Sequence, residues 1–466
     1  MKIIILVPDG VGVRNYIFSS FVVRLIEQKH EIYIYHKLSK SAIKEIKNCR
    51  PEIKKFIEIP DFIENPKARV IRESLAYARL LKNKKKLSNN TILNFWTVSK
   101  KGIKKKILYF ISEFLGLFLS KSYSLMNKLD EIYEKEILKS CNKYLIKMTL
   151  KEISPDYIIN LHQRSPLVSP IITLAKKINI KTSTVIFSWD NVPKGRLISR
   201  YDFYFVWSKL MKNELIKLYP EIKSSQIKIT GTPQFEFYYD KKLCEEKKVF
   251  FSKYGLNENK KTICFSGNDL TSPYEANYLK DICEAINEIK EENRPQIIFR
   301  RCPVDKSDRF DKILKEYKKF VFSIDPDWRT EKKQEDTFTS IYPTVNDNYL
   351  LINTVKHSDF VINLGSTMAH DFAVFDKPCL YLNYNPINNS IFKVEDIFEF
   401  QHFRSMKNMH AVGWINTKED IKNQIIYTLT NPNKVGVDRK KWLNKIVLHP
   451  LDKSSERLIE SIINSI

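Results

Sequence analysis

After its first lysine the segment Lys2–Val7 is wholly apolar, and a tight turn, Asp9-Gly10-Val11-Gly12, follows it. Ile17, Phe18, Phe21, Val22, Leu25 and Ile26 then recur at helical spacing and mark one apolar face. His30–His36 (HEIYIYH) reads as the next strand, so the chain opens on a βαβ unit. From about residue 56 to 152 the pattern turns helical and basic. The alternation then returns with strand Tyr157–Leu161, helix Val168–Lys177, strands Thr182–Ser188 and Tyr204–Trp207, helix Leu210–Leu218 and strand Gln226–Thr230. A second half repeats the scheme. It has strand Thr262–Ser266, a helix from about Tyr274 to Lys290, strands Gln296–Arg301 and Phe320–Ile324, and helix Tyr349–His357. Strands Phe360–Leu364 and Cys379–Tyr384 follow, and a last helix, Leu451–Ile466, carries an apolar face expected to dock back on the body. Short apolar strands alternating with helices predict parallel sheets covered on both faces.

The fold class expected is therefore α/β: two Rossmann-like doubly wound domains facing a cleft, with a basic helical insertion (about 56–152) in the first. Residues 1–240 and 241–466 are the expected domains, with the Lys/Glu-rich stretch Phe237–Lys261 as linker. No repeat of 20–50 residues is visible, which argues against a solenoid. The first turn reads GVG and lacks the full GxGxxG fingerprint, so a dinucleotide site is not supported.

At 466 residues the chain exceeds what one core covers, and 43% hydrophobic content is ordinary for a folded protein. Its seven cysteines are scattered, with no CxxC and no zinc-type spacing, so no metal is expected and a reducing cytosol is. The start, MKIIILVPDG, is too short and too soon interrupted for a secretory signal and reads as a strand. A net charge of +24 favours polyanionic surroundings. Lysines concentrate between Arg79 and Lys106, just before the apolar run Ile107–Leu119 (ILYFISEFLGLFL) and Lys121. That run is too short to cross a bilayer. It could lie among anionic headgroups or form a buried helix, and the sequence leaves both open. No nucleic-acid motif accompanies the charge, so nucleic acid is not an expected partner.

The richest stretch for chemistry is Asp359–Pro378, DFVINLGSTMAHDFAVFDKP. A strand turns through Gly365-Ser366-Thr367 into a helix carrying Asp371 and closes at Lys377-Pro378. Unpaired amides at a helix start receive phosphate, and an acid one turn on could take a ribose hydroxyl. An ordinary strand–turn–helix with a Ser/Thr cap is the plainer reading. Further polar clusters fall after predicted strands: Asp9, Arg14 and Asn15; His162 and Arg164; Trp189, Asp190, Asn191 and Lys194; Gly231-Thr232-Pro233-Gln234-Phe235; Gly267 and Asn268; Arg300 and Arg301. Open αβ sheets put their ligands at such strand ends. Each cluster also has a structural alternative: His162 as a hydrogen-bonded scaffold histidine, Asp190-Asn191 as an Asx-turn, GTPQF as a turn. Adjacent side chains on a strand point opposite ways, so at most one of Arg300 and Arg301 should face a ligand.

Together, IIILVPDGVGVRNY, FSWDNVPKGR, ITGTPQFEF and SDFVINLGSTMAHDFAVFDKP resemble bacterial glycosyltransferases of the GT-B fold, in particular those of surface-polysaccharide biosynthesis. The resemblance covers nearly the whole chain outside 56–152. It implies that the C-terminal half binds a nucleotide-activated sugar and the N-terminal half a saccharide or lipid-linked acceptor, with no cofactor beyond the co-substrate. Carried onto this chain, Gly365, Ser366 and Thr367 would meet the donor phosphates and Asp371 the ribose or sugar hydroxyls. Gly267, Asn268 and Arg300 or Arg301 would complete the leaving-group side. Many members carry Glu where Asp371 stands. Such enzymes stabilise the departing diphosphate without a DxD-held metal. Asp325-Pro326-Asp327 and Asn346-Asp347-Asn348 read as loops. An inverting member needs a base, for which Asp9, His162 and Asp190 are the candidates in that order. Peripheral placement at the inner face of the cell membrane would fit Lys100–Lys121. A UDP-sugar 2-epimerase or polyol-phosphate transferase of the same fold, or a non-catalytic nucleotide-sugar sensor or scaffold, are the competing readings.

Overall fold

Buried β-branched runs build two separate parallel sheets in the computed structural model, which describes residues 1–98, 101–330, 339–387 and 393–466. Ser99 and Lys100 of the basic stretch lie outside the described residues. One unit comprises 1–234, 400–402 and 446–466, and the other 235–399 and 403–445.

In the first unit the strands are β1 (Lys2–Val7), β2 (Glu31–His36), β3 (Lys55–Glu58), β4 (Tyr157–Asn160), β5 (Lys181–Val185), β6 (Phe203–Val206) and β7 (Ile227–Ile229). They lie side by side as β3-β2-β1-β4-β5-β6-β7, every pair parallel. Ile3 to Val7 of β1 have no exposed surface, as expected for a central strand covered on both faces. The chain works outward from β1 through β2 and β3, then returns to β4 on β1's other side. The order reverses there, and the register Leu6↔Asn160 brings the loops after β1 and β4 to one edge.

Lys55–Glu58, read from sequence as the start of the helical insertion, is the edge strand β3. At four residues, with both ends exposed, it has too little apolar pattern to announce itself. The insertion proper is the helices Pro66–Leu87, Ile103–Leu119, Tyr123–Ser140 and Lys143–Ile153. The first is capped by Asn65, whose side chain accepts the Ala68 N–H at 2.8 Å, with Pro66 as the first helical residue. Buried charge ties these helices to the sheet layer. Arg79, 2% exposed, pairs with Glu221 at 2.6 Å, and Arg200 with Asp130 at 2.5 Å. The closing helix, Ser454–Ile463, buries Leu458, Ile459 and Ile462 and pairs its Glu456 with Arg24 at 3.2 Å.

The second unit has β8 (Thr262–Ser266), β9 (Gln296–Arg300), β10 (Val321–Ser323), β13 (Phe360–Asn363), β14 (Cys379–Leu382) and β15 (Gly413–Ile415) in the order β10-β9-β8-β13-β14-β15, again all parallel. A small antiparallel pair, β11 (Trp328–Thr330) and β12 (Ile341–Pro343), stands apart. The strand order reverses between β8 and β13. Both units are thus doubly wound, as the alternation predicts.

Candidate functional site

In the first unit the loops leaving β1 and β4 flank the point where the strand order reverses. Open α/β sheets leave a crevice there for ligands. Asp9 stands two residues beyond β1 and His162 two beyond β4. Their side chains meet, with Nδ1 of His162 lying 2.7 Å from Oδ2 of Asp9. Gly12, at φ +82°, makes room for the approach, since a Cβ there would stand 3.0 Å from that of Leu161. The Val11 N–H donates to the other Asp9 oxygen at 3.0 Å, and Asn160 holds the loop by bonding both the carbonyl and the N–H of His162. Phe187 meets the imidazole edge-on at 5.1 Å. A carboxylate accepting at Nδ1 selects the tautomer whose Nε2 carries the lone pair, and no described residue hydrogen-bonds that nitrogen. The contact fixes the orientation of the imidazole.

Asp190, the third candidate base, is differently placed. Lys194 donates to one of its oxygens at 2.5 Å, and Ser188 and Asn191 donate to the other at 2.6 and 2.8 Å. Burial alone would raise its pKa, but Lys194, His402 and Ser188 outweigh burial and hold the carboxyl well below the usual range. A carboxylate so occupied is a poor proton acceptor. Asn191 also accepts from Gln163 at 3.1 Å, and Trp189 is buried with its ring edge-on to His402 at 4.8 Å. Arg14 donates to Asn15, which donates in turn to Gln234 of the GTPQF turn at 3.1 Å. Burial and the neighbouring Arg196 lower the pKa of Arg164. Two further titratable groups escape the sequence reading. Burial pushes Glu214 up to about 7 and His402 down to about 4. His402 reaches this unit from a stretch far along the chain, so no local pattern could have found it. A small cavity is lined in part by Arg72, Arg79, Arg196 and Arg200. Each is paired with Glu64, Glu73, Glu221 or Asp130, so this cavity is an ion-pair fastening of the helices.

The second unit repeats the convergence. The loops after β8, β9 and β13, three neighbouring strands, carry Gly267, Asn268, Arg301, Gly365, Ser366 and Thr367, while Arg300 ends β9 and Asp371 lies in the helix that follows β13. Asn268 donates from its side chain to the Leu364 carbonyl at 2.8 Å, joining the turns on both sides of the reversal. The Gly267 N–H bonds the Arg300 carbonyl at 2.9 Å. Gly365 sits at φ +71°, and a Cβ there would lie 2.8 Å from the Phe403 ring, so this position demands glycine on structural grounds alone. The helix carrying Asp371 is short, Met368–Val374, and Thr367 makes no side-chain cap bond. The Ser366 N–H is taken by Asn363 Oδ1 at 2.8 Å. Asp371 is buried and accepts the Tyr238 hydroxyl at 2.8 Å. Lys377 of the same motif donates to the carbonyls of Val355, Lys356 and Ser358, ending the helix Asn346–His357, and burial lowers its pKa to about 8. Of the two arginines, Arg300 is buried against Asp347 at 2.6 Å with Nη1 unbonded, whereas Arg301 turns to the Ser307 carbonyl.

Glu275 is the residue the sequence reading missed here. It has no exposed surface, accepts the Asn268 N–H at 2.5 Å, and leaves Oε1 without a partner. Arg309 binds the same loop through the carbonyls of Asn268 and Ser272. Burial pushes Glu275 up to about 8 despite the opposing Asn268 N–H and Arg309. A lone acid inside a helix pattern carries no mark of such burial.

Two parallel doubly wound α/β units, with polar residues on either side of each strand-order reversal, define the protein as one of GT-B fold. No family model matches the chain, and no curated protein matches it in sequence. Solved structures do match. The UDP-GlcNAc 2-epimerase of Methanocaldococcus jannaschii aligns over 100% of both chains at 15% identity and TM-score 0.53. A glycosyltransferase of Rickettsia africae aligns over 100% of this chain and 98% of its own, at 13% identity and TM-score 0.53. The S. aureus MnaA–UDP co-structure aligns over 100% of this chain and 97% of its own, at 13% identity and TM-score 0.50. Identities this low carry the fold and leave the reaction open.

Proposed function

We propose that the protein is a glycosyltransferase that moves a sugar from a nucleotide-activated donor to a surface-polysaccharide or lipid-linked saccharide acceptor. The observation that carries the reading is the Asp9–His162 pair at the strand-order reversal of the first unit. In this scheme His162 Nε2 takes the proton of an acceptor hydroxyl, with Asp9 stabilising the imidazolium that forms. The hydroxyl oxygen bonds the anomeric carbon, and the bond from that carbon to the nucleotide diphosphate breaks. The electron pair leaves with the diphosphate. The second unit binds the donor at the loops after β8, β9 and β13, with Asn268, the Gly365–Thr367 turn and Arg300 nearest the phosphates and Asp371 toward the ribose or sugar. Asp190 and Lys194 belong to the scaffold of the acceptor side, with Arg14, Asn15, Arg164, Trp189 and Asn191. No cofactor takes part, and the enzyme works in the cytoplasm.

A second reading, UDP-sugar 2-epimerase, is favoured by the end-to-end fold match to the M. jannaschii protein. One experiment separates the two. The protein is first screened for thermal stabilisation by UDP, GDP, CMP and CDP, since a ligand bound only by the native form raises Tm. The winning nucleotide's sugars are then incubated without acceptor. Epimerised nucleotide-sugar appearing under those conditions would replace the transferase reading. An intact donor, consumed only when a lipid-linked acceptor is added, supports it.

A further inference from the structure

The helix Ile103–Leu119 is inside out. Its inward side holds Tyr109, Ser112 and Gly116, two of them small, packed on the helix Pro66–Leu87. Its outward stripe is Ile103, Ile107, Phe110, Phe114, Leu117 and Phe118, at the spacing of one helical face. Ile103 and Phe110 are 70% exposed, and Phe114 and Phe118 are each 55% exposed. A helix covering a core shows the reverse arrangement, and contiguous exposed patches of this kind mark interaction sites. Sequence left this segment as either a buried helix or a headgroup-level one, and its exposed aromatics exclude burial in the unit.

Charge says what covers the stripe. Lys101, Lys104, Lys105 and Lys106 crowd its first turns, all exposed, and Lys121 follows its last. At that far end Lys82 and Lys86 both stack on the Tyr123 ring, at 4.2 and 4.8 Å. An apolar stripe with cations at both ends complements a surface that is apolar beneath and anionic on top. No helix of the described residues is long and apolar enough to cross a membrane. Seventeen residues are enough to lie along one.

We infer that the outward face of Ile103–Leu119, with its flanking lysines, docks the protein in the plane of a bilayer surface rich in anionic phospholipid. The inference goes beyond the reaction proposed above and holds for whichever nucleotide is used. It gives a transferase with a lipid-linked acceptor its means of meeting that acceptor.

The test is co-sedimentation of the full chain with phosphatidylcholine vesicles, with and without phosphatidylglycerol. The parent should pellet with anionic vesicles at low salt, far less with neutral ones, and be released by salt. Phe110→Glu with Phe114→Glu should abolish pelleting. Lys104→Ala and Lys106→Ala should each weaken it about fivefold. Circular dichroism melts and nucleotide-induced Tm shifts at parental values would show that these exposed positions leave the fold and the donor site intact. A parent that stays in the supernatant with anionic vesicles overturns the proposal, as does a double variant that pellets like the parent. So does a parent that sediments as a dimer, is dissociated by the double variant, and ignores vesicles, because a second copy would then cover the stripe.

Discussion

The proposed role of His162 rests on the atom that faces it. With Asp9 accepting at Nδ1, the ring must present a basic Nε2, and an amide in place of the carboxylate would donate and invert the tautomer. Asp9→Asn should therefore lower kcat about 10³–10⁴-fold, with the nucleotide-induced Tm shift unchanged. His162→Asn should cost about 10²–10⁴-fold in the same steady-state assay. An equal loss of nucleotide binding in either variant would put these residues in the scaffold. Glu275 makes a different statement, about pH. Native Glu275 holds its proton up to about 8, whereas the unfolded chain releases it near the ordinary 4.5. Between those values the native state binds more protons, so its contribution to stability is full below the lower value and is lost as pH rises through the upper. Urea unfolding at about pH 5 and about pH 9 should show a loss of about 4 kcal/mol, which Glu275→Gln removes. The same slope in the variant would assign the effect to another group.

At the scale of elements, the helical insertion is held by close approach and by buried charge. A Cβ on Gly116 would stand 2.8 Å from the Tyr77 ring and 3.0 Å from the Ser74 carbonyl. Gly116→Val should therefore push the helices Ile103–Leu119 and Pro66–Leu87 apart, costing about 1–3 kcal/mol in chemical denaturation. Arg79 is the stronger fastening, because it is buried and bonds both Glu221 and the Leu218 carbonyl. Arg79→Met leaves Glu221 charged with only Arg200 opposite it, and should cost about 3–5 kcal/mol. Pairing Arg79→Met with Glu221→Gln should recover part of that loss, since the stranded charge goes with it. A double variant no more stable than the single one would mean packing, not charge, dominates at this site.

Across the whole molecule, the repeated strand-order reversal organises everything else. It sets Asp9 beside His162 in one unit and Asn268 beside the Gly365 turn in the other, from loops about 150 and 100 residues apart. If the donor belongs to the second unit, Asn268→Ala should reduce the stabilisation given by the nucleotide, whereas His162→Asn should leave it intact. Thermal shift across a nucleotide titration reads both. Equal effects from the two substitutions would show that the units do not divide donor and acceptor in this way.

The linear order of residues was enough to establish the two αβ halves, most strand positions and the apolar run Ile107–Leu119, because hydrophobic periodicity is a local property. It also placed Asp9, His162 and Asn268 at strand ends, where sheets of this kind present polar groups. It missed β3, a short edge strand with little buried surface, and it missed Glu275 and His402, whose surroundings are assembled from distant loops. Only the tertiary structure decided that Asp9 and His162 touch, that Asp190 is consumed by Lys194, and that the apolar stripe faces outward. Those are contacts across the fold, and spacing along a chain carries no information about which side of a helix, or which of two carboxylates, another segment will come to cover.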